Sequence, residues 1–293
     1  MSPAWRRIAR RPVDRISRRL DSQAIANPWV HGTLIPIRGA RRDGLFVHAG
    51  AGPAREDDGL PVPPPELLAG YTEAEYLRTG ADDVATMLDV LGEAGASADS
   101  LGRVLELGSG SARMLRAFPR SAESELWGVD LVSEQVLWCQ DHLGPQLRFA
   151  TVTSVPHLPF EDGSFDLAYC GSVFTHIREL ADAWLLELRR VVRSGGHIYV
   201  TIHDKRSVEL LLGDPGRFPD VPWFGDFAEL MRDIDRRASI SRRDWKLFWQ
   251  GYDPYSQVFY DLDYLVRRWS GYCQVVAVRE EAYQYQTALV LRK

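Results

Sequence analysis

Short apolar runs alternate with amphipathic stretches between residues 104 and 202. The periodicity predicts strands over residues 104–107, 126–129, 147–152, 167–170 and 197–202. It predicts helices near residues 112–118, and over 133–143 and 178–192. Repeated β-α units of this kind build a mostly parallel sheet with helices on both faces. The sequence therefore predicts a doubly wound α/β fold.

Both flanks of this region add to the sheet or cover it. Thr72 and Glu75 have the spacing of a capping box, which predicts that a helix precedes the first strand. Two β-like runs, over residues 274–279 and 287–291, are separated by a short connection. We expect them to form an antiparallel C-terminal hairpin at the sheet edge. The complete prediction is a mostly parallel, seven-stranded, Rossmann-like sheet with this hairpin.

The chain divides into an extension and one larger domain. Residues 1–70 are basic and then rich in Pro and Gly, and we expect a segment that wraps the domain formed by residues 71–293. The arginines of the first twenty residues fit a mobile tail, a packing arm or a basic anchor on a membrane surface. An aromatic insertion at about residues 207–256 fits a lid over a ligand, a dimer contact or a satellite core.

Composition excludes several classes of function. The net charge of −5 disfavours a general nucleic-acid binder, because such proteins neutralise phosphates with a positive surface. The three cysteines are far apart and form no C-x-x-C pair, so neither a disulfide framework nor a metal site is predicted. No apolar run reaches the roughly 18 residues of a membrane span. We expect a cytoplasmic protein without integral membrane contact.

The stretch from Glu106 to Arg113 carries the strongest indication of a ligand. Gly108 and Gly110 follow an apolar strand and precede a predicted helix. Glycines at such a turn let the backbone approach a ligand, although tight turns also need glycine for purely conformational reasons. Asp130 ends the next strand about 20 residues later, where an acid can accept hydrogen bonds from ribose hydroxyls. Together these residues predict an adenosine-containing cofactor.

Two residues of this chain indicate whether the cofactor is a nicotinamide or a sulfonium compound. The dinucleotide fingerprint requires a small residue where this chain has Arg113, because close helix–strand packing needs a third glycine. Glu106 suits a cationic amino group better than a pyrophosphate. The residues therefore disfavour an NAD-dependent oxidoreductase, which remains the rival hypothesis.

Four motifs, in the expected order and spacing, resemble those of class I S-adenosylmethionine-dependent methyltransferases. They are the acidic-Gly-x-Gly-x-Ala run at 106–112, Asp130, the Leu-Pro-Phe element and strand at 158–166, and the helix, turn and strand at 188–197. The resemblance spans roughly residues 72–292 and implies S-adenosyl-L-methionine as the cofactor. It implies these binding residues: Glu106, Gly108, Ser109, Gly110, Arg113, Asp130, Leu131, Ser154, Val155 and Gly171. Ser154 stands where the family usually has Asp, so a hydroxyl or the backbone would have to bind the adenine amino group.

A narrower likeness concerns the acceptor. Residues 172–177, the pair His203-Asp204 and the Tyr264-to-Trp269 segment resemble methyltransferases of glycan and natural-product pathways. This resemblance implies a small-molecule or glycan acceptor, and we expect O-methylation. A hydroxyl must lose its proton, and a histidine is the economical base. His176 and His203 follow the fourth and fifth strands and are the predicted catalytic residues.

Other hypotheses stay open at this point. Asp204 and Tyr260 are weaker candidates for the base, and transfer to an amine or carboxylate would need no base at all. A catalytically inactive protein that binds S-adenosylmethionine would show the same motifs. A nucleic-acid methyltransferase is disfavoured because Cys170-Gly171-Ser172-Val173 replaces the Asn/Asp-Pro-Pro-aromatic loop.

Overall fold

A seven-stranded sheet forms the centre of the computed structural model, which describes residues 59–121, 123–251 and 256–293. Its strand order is β3-β2-β1-β4-β5-β9-β8. The strands are β1 (Arg103–Leu107), β2 (Glu125–Asp130), β3 (Arg148–Thr151), β4 (Phe165–Cys170), β5 (Val192–Ile202), β8 (Gln274–Tyr283) and β9 (Gln286–Arg292). The first five pair in parallel, and β9 pairs antiparallel with β5 and with β8. The predicted fold class and the predicted hairpin at the sheet edge are confirmed.

Helices cover both faces of this sheet. They are α1 (Glu73–Glu93), α2 (Ser133–Leu143), α3 (Ala181–Val191), α4 (Lys205–Leu212), α5 (Phe224–Ala238) and α6 (Leu262–Trp269). A two-stranded hairpin, β6 (Leu247–Gln250) with β7 (Gln257–Tyr260), lies outside the main sheet. Within the described residues, no helix is both long enough and apolar enough to cross a membrane.

The strand pleat divides the core between the two faces. Val104 of β1 packs in the cluster that α1 and α2 complete, whereas its neighbour Leu105 packs in the cluster that α3 and α6 complete. The same alternation separates Leu167 from Ala168 on β4. Burial on both faces explains why these strands are almost continuously apolar. It also leaves the carboxyl ends of the parallel strands as the edge where polar groups collect.

The prediction of a helix near residues 112–118 is wrong. This segment forms turns and a short 3₁₀ helix, Leu115–Ala117, instead of an α-helix. Ala112 has a φ of +73°, and this left-handed conformation is incompatible with continuous α-helical geometry. The helix predicted over residues 178–192 begins later, at Ala181, and β5 follows α3 directly at Val192. The helix predicted over residues 133–143 is confirmed at both ends.

The insertion forms α4, α5 and the β6–β7 hairpin. Its buried side chains make a separate apolar cluster that also includes a tyrosine from the turn between β8 and β9. The cluster contains Val208, Leu210, Leu211, Val221, Phe224, Phe227, Ala228, Met231, Ile240, Phe259 and Tyr285. The satellite-core interpretation therefore accounts for most of the aromatic residues here. Tyr252 and Tyr255 of the insertion, and the arginine-rich N-terminus, lie outside the described residues.

The capping box at the start of α1 gives a prediction about stability. The Glu75 backbone N–H donates to Thr72 Oγ1 at 3.3 Å, and Glu75 Oε2 accepts from the Thr72 backbone N–H at 2.8 Å. Thr72→Ala removes the first bond, so we expect the free energy of unfolding in urea to fall by about 1 kcal/mol. Thr86→Ala, in the middle of the same helix, is the control, and its change should stay within about 0.5 kcal/mol. Equal losses in both variants would contradict a specific capping role.

Candidate active site

A glycine turn joins β1 to the segment that follows it. The Gly108 and Ser109 backbone N–H groups both donate to Val129 O of β2, at 2.8 and 3.1 Å. Gly108 has a φ of +77°, and a Cβ at this position would lie 2.4 Å from Val173 Cγ2. Glycine is therefore required at this position for its conformation and for the close approach of the chain.

Asp130 holds this turn against the end of β2. Its Oδ2 accepts a hydrogen bond from the Gly110 backbone N–H at 2.8 Å, and its Oδ1 accepts one from the Val132 backbone N–H at 2.8 Å. The carboxylate is buried and both of its oxygens are anchored by backbone. The structure thus brings the predicted acid and the predicted glycines together at the carboxyl ends of two neighbouring strands.

A cavity of about 260 Å³ lies beside the turn. Six of the predicted cofactor residues line it: Glu106, Gly108, Ser109, Gly110, Arg113 and Gly171. The other four, Asp130, Leu131, Ser154 and Val155, are outside its lining. The first six residues surround one end of the predicted ligand site, while the other four continue along the ends of β2 and β3.

Glu106 contributes a buried carboxyl group to the cavity. It is paired in register with Tyr169 of β4, whose hydroxyl donates to Glu106 Oε2 at 3.0 Å. Burial raises the pKa of Glu106 to about 8, and the hydrogen bond from Tyr169 opposes this shift. A cation bound in the cavity would favour the ionised form. The site is therefore suited to a ligand that carries a positive charge.

Ser109 and Gln135 add polar groups around the turn. Ser109 Oγ is buried and has no hydrogen-bond partner, and the residue lines the cavity. A buried hydroxyl without a partner costs free energy, which a ligand group can recover. Gln135 lies on α2 beside the turn, with its Oε1 3.4 Å from where a Cβ of Gly110 would be. Gln135 is not among the residues predicted from the sequence, although its position five residues after Asp130 was a usable signal.

Arg113 is held by residues of α1 and β8 on the cavity wall. Its guanidinium pairs with Asp83 at 2.6 Å, and it donates to Thr79 Oγ1 at 3.0 Å and to Tyr283 Oη at 2.6 Å. Both charged side chains are largely buried. The Tyr283 ring lies against Gly171, where an added Cβ would be 2.8 Å from it. Arg113 therefore connects α1 to the end of β8 at the cavity wall, and its partners come from distant parts of the sequence.

Residues before α1 cover the cavity. Ser111 Oγ donates to Leu67 O at 2.7 Å, and Arg116 donates to Leu60 O and Pro61 O. These bonds hold the described end of the Pro/Gly-rich segment over the glycine turn. The roof consists of Leu67, Leu68, Ala69, Tyr71 and Trp223. The sequence suggested a wrapping segment but not which residues would reach the site.

His176 lines the same cavity. Its Nδ1 lies 2.8 Å from Ser256 O, and since a carbonyl oxygen only accepts, Nδ1 carries the proton and Nε2 keeps a lone pair. The protein packed around the ring displaces water and lowers the pKa of His176, while the bond to Ser256 opposes this. The side chain remains exposed to solvent. A neutral imidazole with a lone pair can accept a proton.

His203 occupies a different environment. It is 1% exposed, lies among the rings of Phe227, Phe259 and Tyr285, and has no hydrogen-bond partner at either ring nitrogen. Burial holds the pKa of His203 well below its usual value. The structure thus brings His176 to the cavity but places His203 in the satellite core. His203 lies there because its backbone forms an isolated β-bridge with Phe259 of β7.

The two weaker candidates for the base have structural partners. Asp204 caps α4 and accepts a hydrogen bond from the Ser207 backbone N–H at 3.0 Å. The Tyr260 hydroxyl donates to Ile177 O at 2.6 Å. Neither residue lines the cavity. Among the four candidates, only His176 lines the cavity.

Residues 105–200 match the sequence model of a methyltransferase domain family. This range contains the glycine turn, Asp130 and His176. The chain therefore carries a methyltransferase domain over these residues. The match supports the methyltransferase hypothesis over the NAD-dependent oxidoreductase.

Known methyltransferases resemble parts of this chain. The ubiquinone/menaquinone biosynthesis C-methyltransferase UbiE of Cupriavidus pinatubonensis is 31% identical over 134 residues, which is 42% of this chain and 52% of that protein. The chain thus spans about half the length of this curated relative. The crystal structure of Burkholderia thailandensis 1,6-didemethyltoxoflavin-N1-methyltransferase, with 1,6-didemethyltoxoflavin and S-adenosylhomocysteine bound, is 15% identical. It aligns with a TM-score of 0.48 over 74% of this chain and 79% of that chain.

The residues around the glycine turn fit the methionine end of S-adenosylmethionine. A glycine turn without side chains, an unpartnered Ser109 hydroxyl and the Glu106 carboxyl suit a sulfonium ligand with a cationic amino group. At the adenine end, Trp184 Nε1 donates to Ser154 O at 3.2 Å, so the backbone of Ser154 is fixed by α3. Among the described residues, no group of three or more His, Cys, Asp or Glu side chains could hold a metal ion.

The raised pKa of Glu106 predicts a pH dependence of stability without ligand. A glutamate in the unfolded chain titrates at about 4.3, and the folded value is about 8, so the native state binds more protons between these values. The free energy of unfolding of the wild type should therefore fall with rising pH relative to Glu106→Gln. The difference should grow by at most about 1.4 kcal/mol per pH unit and level off above the folded pKa.

Urea unfolding from pH 5 to pH 9 measures this difference. Glu229→Gln, at an exposed position of α5, is the control and should follow the wild type. Parallel profiles for wild type and Glu106→Gln would show that the carboxyl group does not titrate as the structure indicates.

Proposed function

We propose that this methyltransferase transfers a methyl group to a hydroxyl group of a small molecule. The observation that carries the proposal is the position of His176, whose Nδ1–H is bound to Ser256 O and whose ring lines the same cavity as the glycine turn. A base next to the cofactor site is needed for a hydroxyl acceptor and superfluous for an amine or carboxylate.

The cofactor would lie along the ends of β1, β2 and β3. Asp130 would bind the two ribose hydroxyls, because its carboxylate is held at the end of β2 by the backbone hydrogen bonds that its oxygens accept. Leu131, Ser154 and Val155 follow β2 and β3 and would surround the adenine. Glu106 and the glycine turn would hold the methionine part, with Ser109, Arg113 and Gly171 completing the wall.

The residues of the chain would act mainly by positioning. When bound, S-adenosylmethionine supplies an electrophilic methyl group on sulfur. Holding the acceptor in line with that group supplies much of the acceleration of a displacement reaction. His176 Nε2 would accept the hydroxyl proton. Leu67, Leu68 and Tyr71 would exclude water from the cavity, which strengthens the electrostatic interactions within it.

Two experiments separate this proposal from its rivals. Calorimetry with S-adenosylmethionine, S-adenosylhomocysteine and NAD should show binding of the first two ligands and none of NAD. Transfer of a labelled methyl group to a panel of sugars, phenols and amines then distinguishes the enzyme from an inactive binding protein. Product labelled on nitrogen rather than oxygen would contradict the hydroxyl assignment.

Asp130→Ala tests the ribose assignment. The substitution removes the acceptor proposed for the ribose and the clamp on the Gly110 backbone N–H, so affinity for S-adenosylhomocysteine should fall at least about tenfold. Isothermal titration calorimetry measures the effect. Asp141→Ala, at an exposed position of α2, is the matched control and should bind like the wild type. Unchanged affinity in Asp130→Ala would remove the assignment.

His176→Gln tests the base. We expect kcat to fall by about 10²- to 10⁴-fold, with affinity for S-adenosylhomocysteine within twofold of the wild type. Since the lowered pKa keeps the free imidazole neutral at pH 7, wild-type kcat/KM should rise with pH through a value below 6.5 and then stay flat. The variant should lose that rise. His157→Gln, at an exposed position, is the control. A variant that keeps both the rate and the pH profile would exclude His176 as the base.

A further inference from the structure

We infer that the acceptor is a flat aromatic molecule whose reacting hydroxyl is attached to the ring, bound against the Trp223 indole with that hydroxyl toward His176. This inference rests on the proposed function and narrows its acceptor to phenols and related enols. It favours them over glycans and other aliphatic alcohols. Three features of the cavity support it.

The first feature is the Trp223 indole. Trp223 is 39% exposed and lines the cavity, whereas most of the described aromatic rings of the insertion belong to the satellite core or pack against it. Its position is fixed from two sides: the Tyr71 ring packs edge-on at 5.4 Å, and the following residue, Phe224, is fully buried. A rigid, partly exposed indole at a cavity offers apolar area at a low cost in conformational entropy. A flat ring is the ligand that covers such a surface best.

The second feature is that the polar groups on this side of the cavity already have partners in the protein. Ser172 Oγ contacts Gln286 Nε2 at 2.9 Å and Thr175 Oγ1 at 3.1 Å. The Tyr71 hydroxyl accepts from Gln284 Nε2 at 3.2 Å. A sugar needs several protein donors and acceptors to replace its water, and hydroxyls left without them are costly. A phenol needs one polar partner, and His176 Nε2 is such a partner.

The arginine of this wall is engaged as well. Arg113 donates to Asp83, Thr79 and Tyr283, so its charge is balanced by α1 rather than directed to an acceptor. The described wall therefore combines flat apolar faces with one basic nitrogen. This combination matches an uncharged or weakly acidic aromatic hydroxyl.

The third feature is the strength of the base. The hydroxyl oxygen forms the new bond to the methyl carbon, the carbon–sulfur bond breaks with its electron pair going to sulfur, and the hydroxyl proton passes to His176 Nε2. A histidine with a lowered pKa is a weak base. A phenol titrates at about 10, whereas an aliphatic alcohol, like water, titrates at about 16. The proton transfer is therefore much less unfavourable from a phenol.

Binding to the protein loaded with S-adenosylhomocysteine tests the inference. The probes are catechol, 4-nitrophenol and methyl α-D-glucopyranoside, with dissociation constants measured by ligand-observed NMR. We expect both phenols to bind and the glucoside to bind at least tenfold more weakly. Trp223→Ala should weaken phenol binding at least tenfold, and Trp223→Phe should restore most of it.

Trp249→Ala is the matched control because Trp249 is 50% exposed on β6 and lies outside the cavity lining. It should bind the phenols like the wild type. Glucoside binding equal to or tighter than phenol binding, no phenol binding at all, or equal effects of the Trp223 and Trp249 substitutions would each overturn the inference. Failure to load S-adenosylhomocysteine would instead contradict the proposed function on which the inference rests.

Discussion

The two hydrogen bonds that Asp130 accepts from backbone determine the geometry of this site. One holds the Gly110 N–H and the other the Val132 N–H, so a single carboxylate joins the turn after β1 to the turn after β2. The Gly108 and Ser109 N–H groups add two bonds to Val129 O. Because the carboxylate is buried, these bonds are strong and the two turns move together. The cavity beside the turn depends on this clamp.

Around the clamp, the fold supplies each wall of the site from a different element. The segment before α1 forms the roof, α1 and β8 hold Arg113, and β4 places Tyr169 against Glu106. The insertion contributes Trp223 to the roof and Ser256 O to His176. Most of the described insertion packs as a satellite core, and its Ser256 O fixes the tautomer of His176, while its role as a lid stays a prediction.

The sequence predicted what depends on local patterns. Strand and helix periodicity, the capping box at Thr72 and the glycine turn are short-range signals, and the sheet follows from them. The departures have physical reasons. Ala112 takes a left-handed conformation that periodicity does not show. His203 and His176 both follow a strand, and only the packing of β7 against His203 distinguishes their environments. Tyr283 and Trp223 reach the cavity through tertiary packing alone, so no pattern near the glycine turn could identify them.

The central claim is that the crevice at Gly108, Gly110 and Asp130 holds both ends of one sulfonium ligand. A crystal structure of the protein with S-adenosylhomocysteine tests it most directly. The account predicts ribose hydroxyls within hydrogen-bond distance of Asp130 and the amino group of the ligand beside Glu106. A ligand bound elsewhere, or bound with these residues turned away from it, would contradict the account.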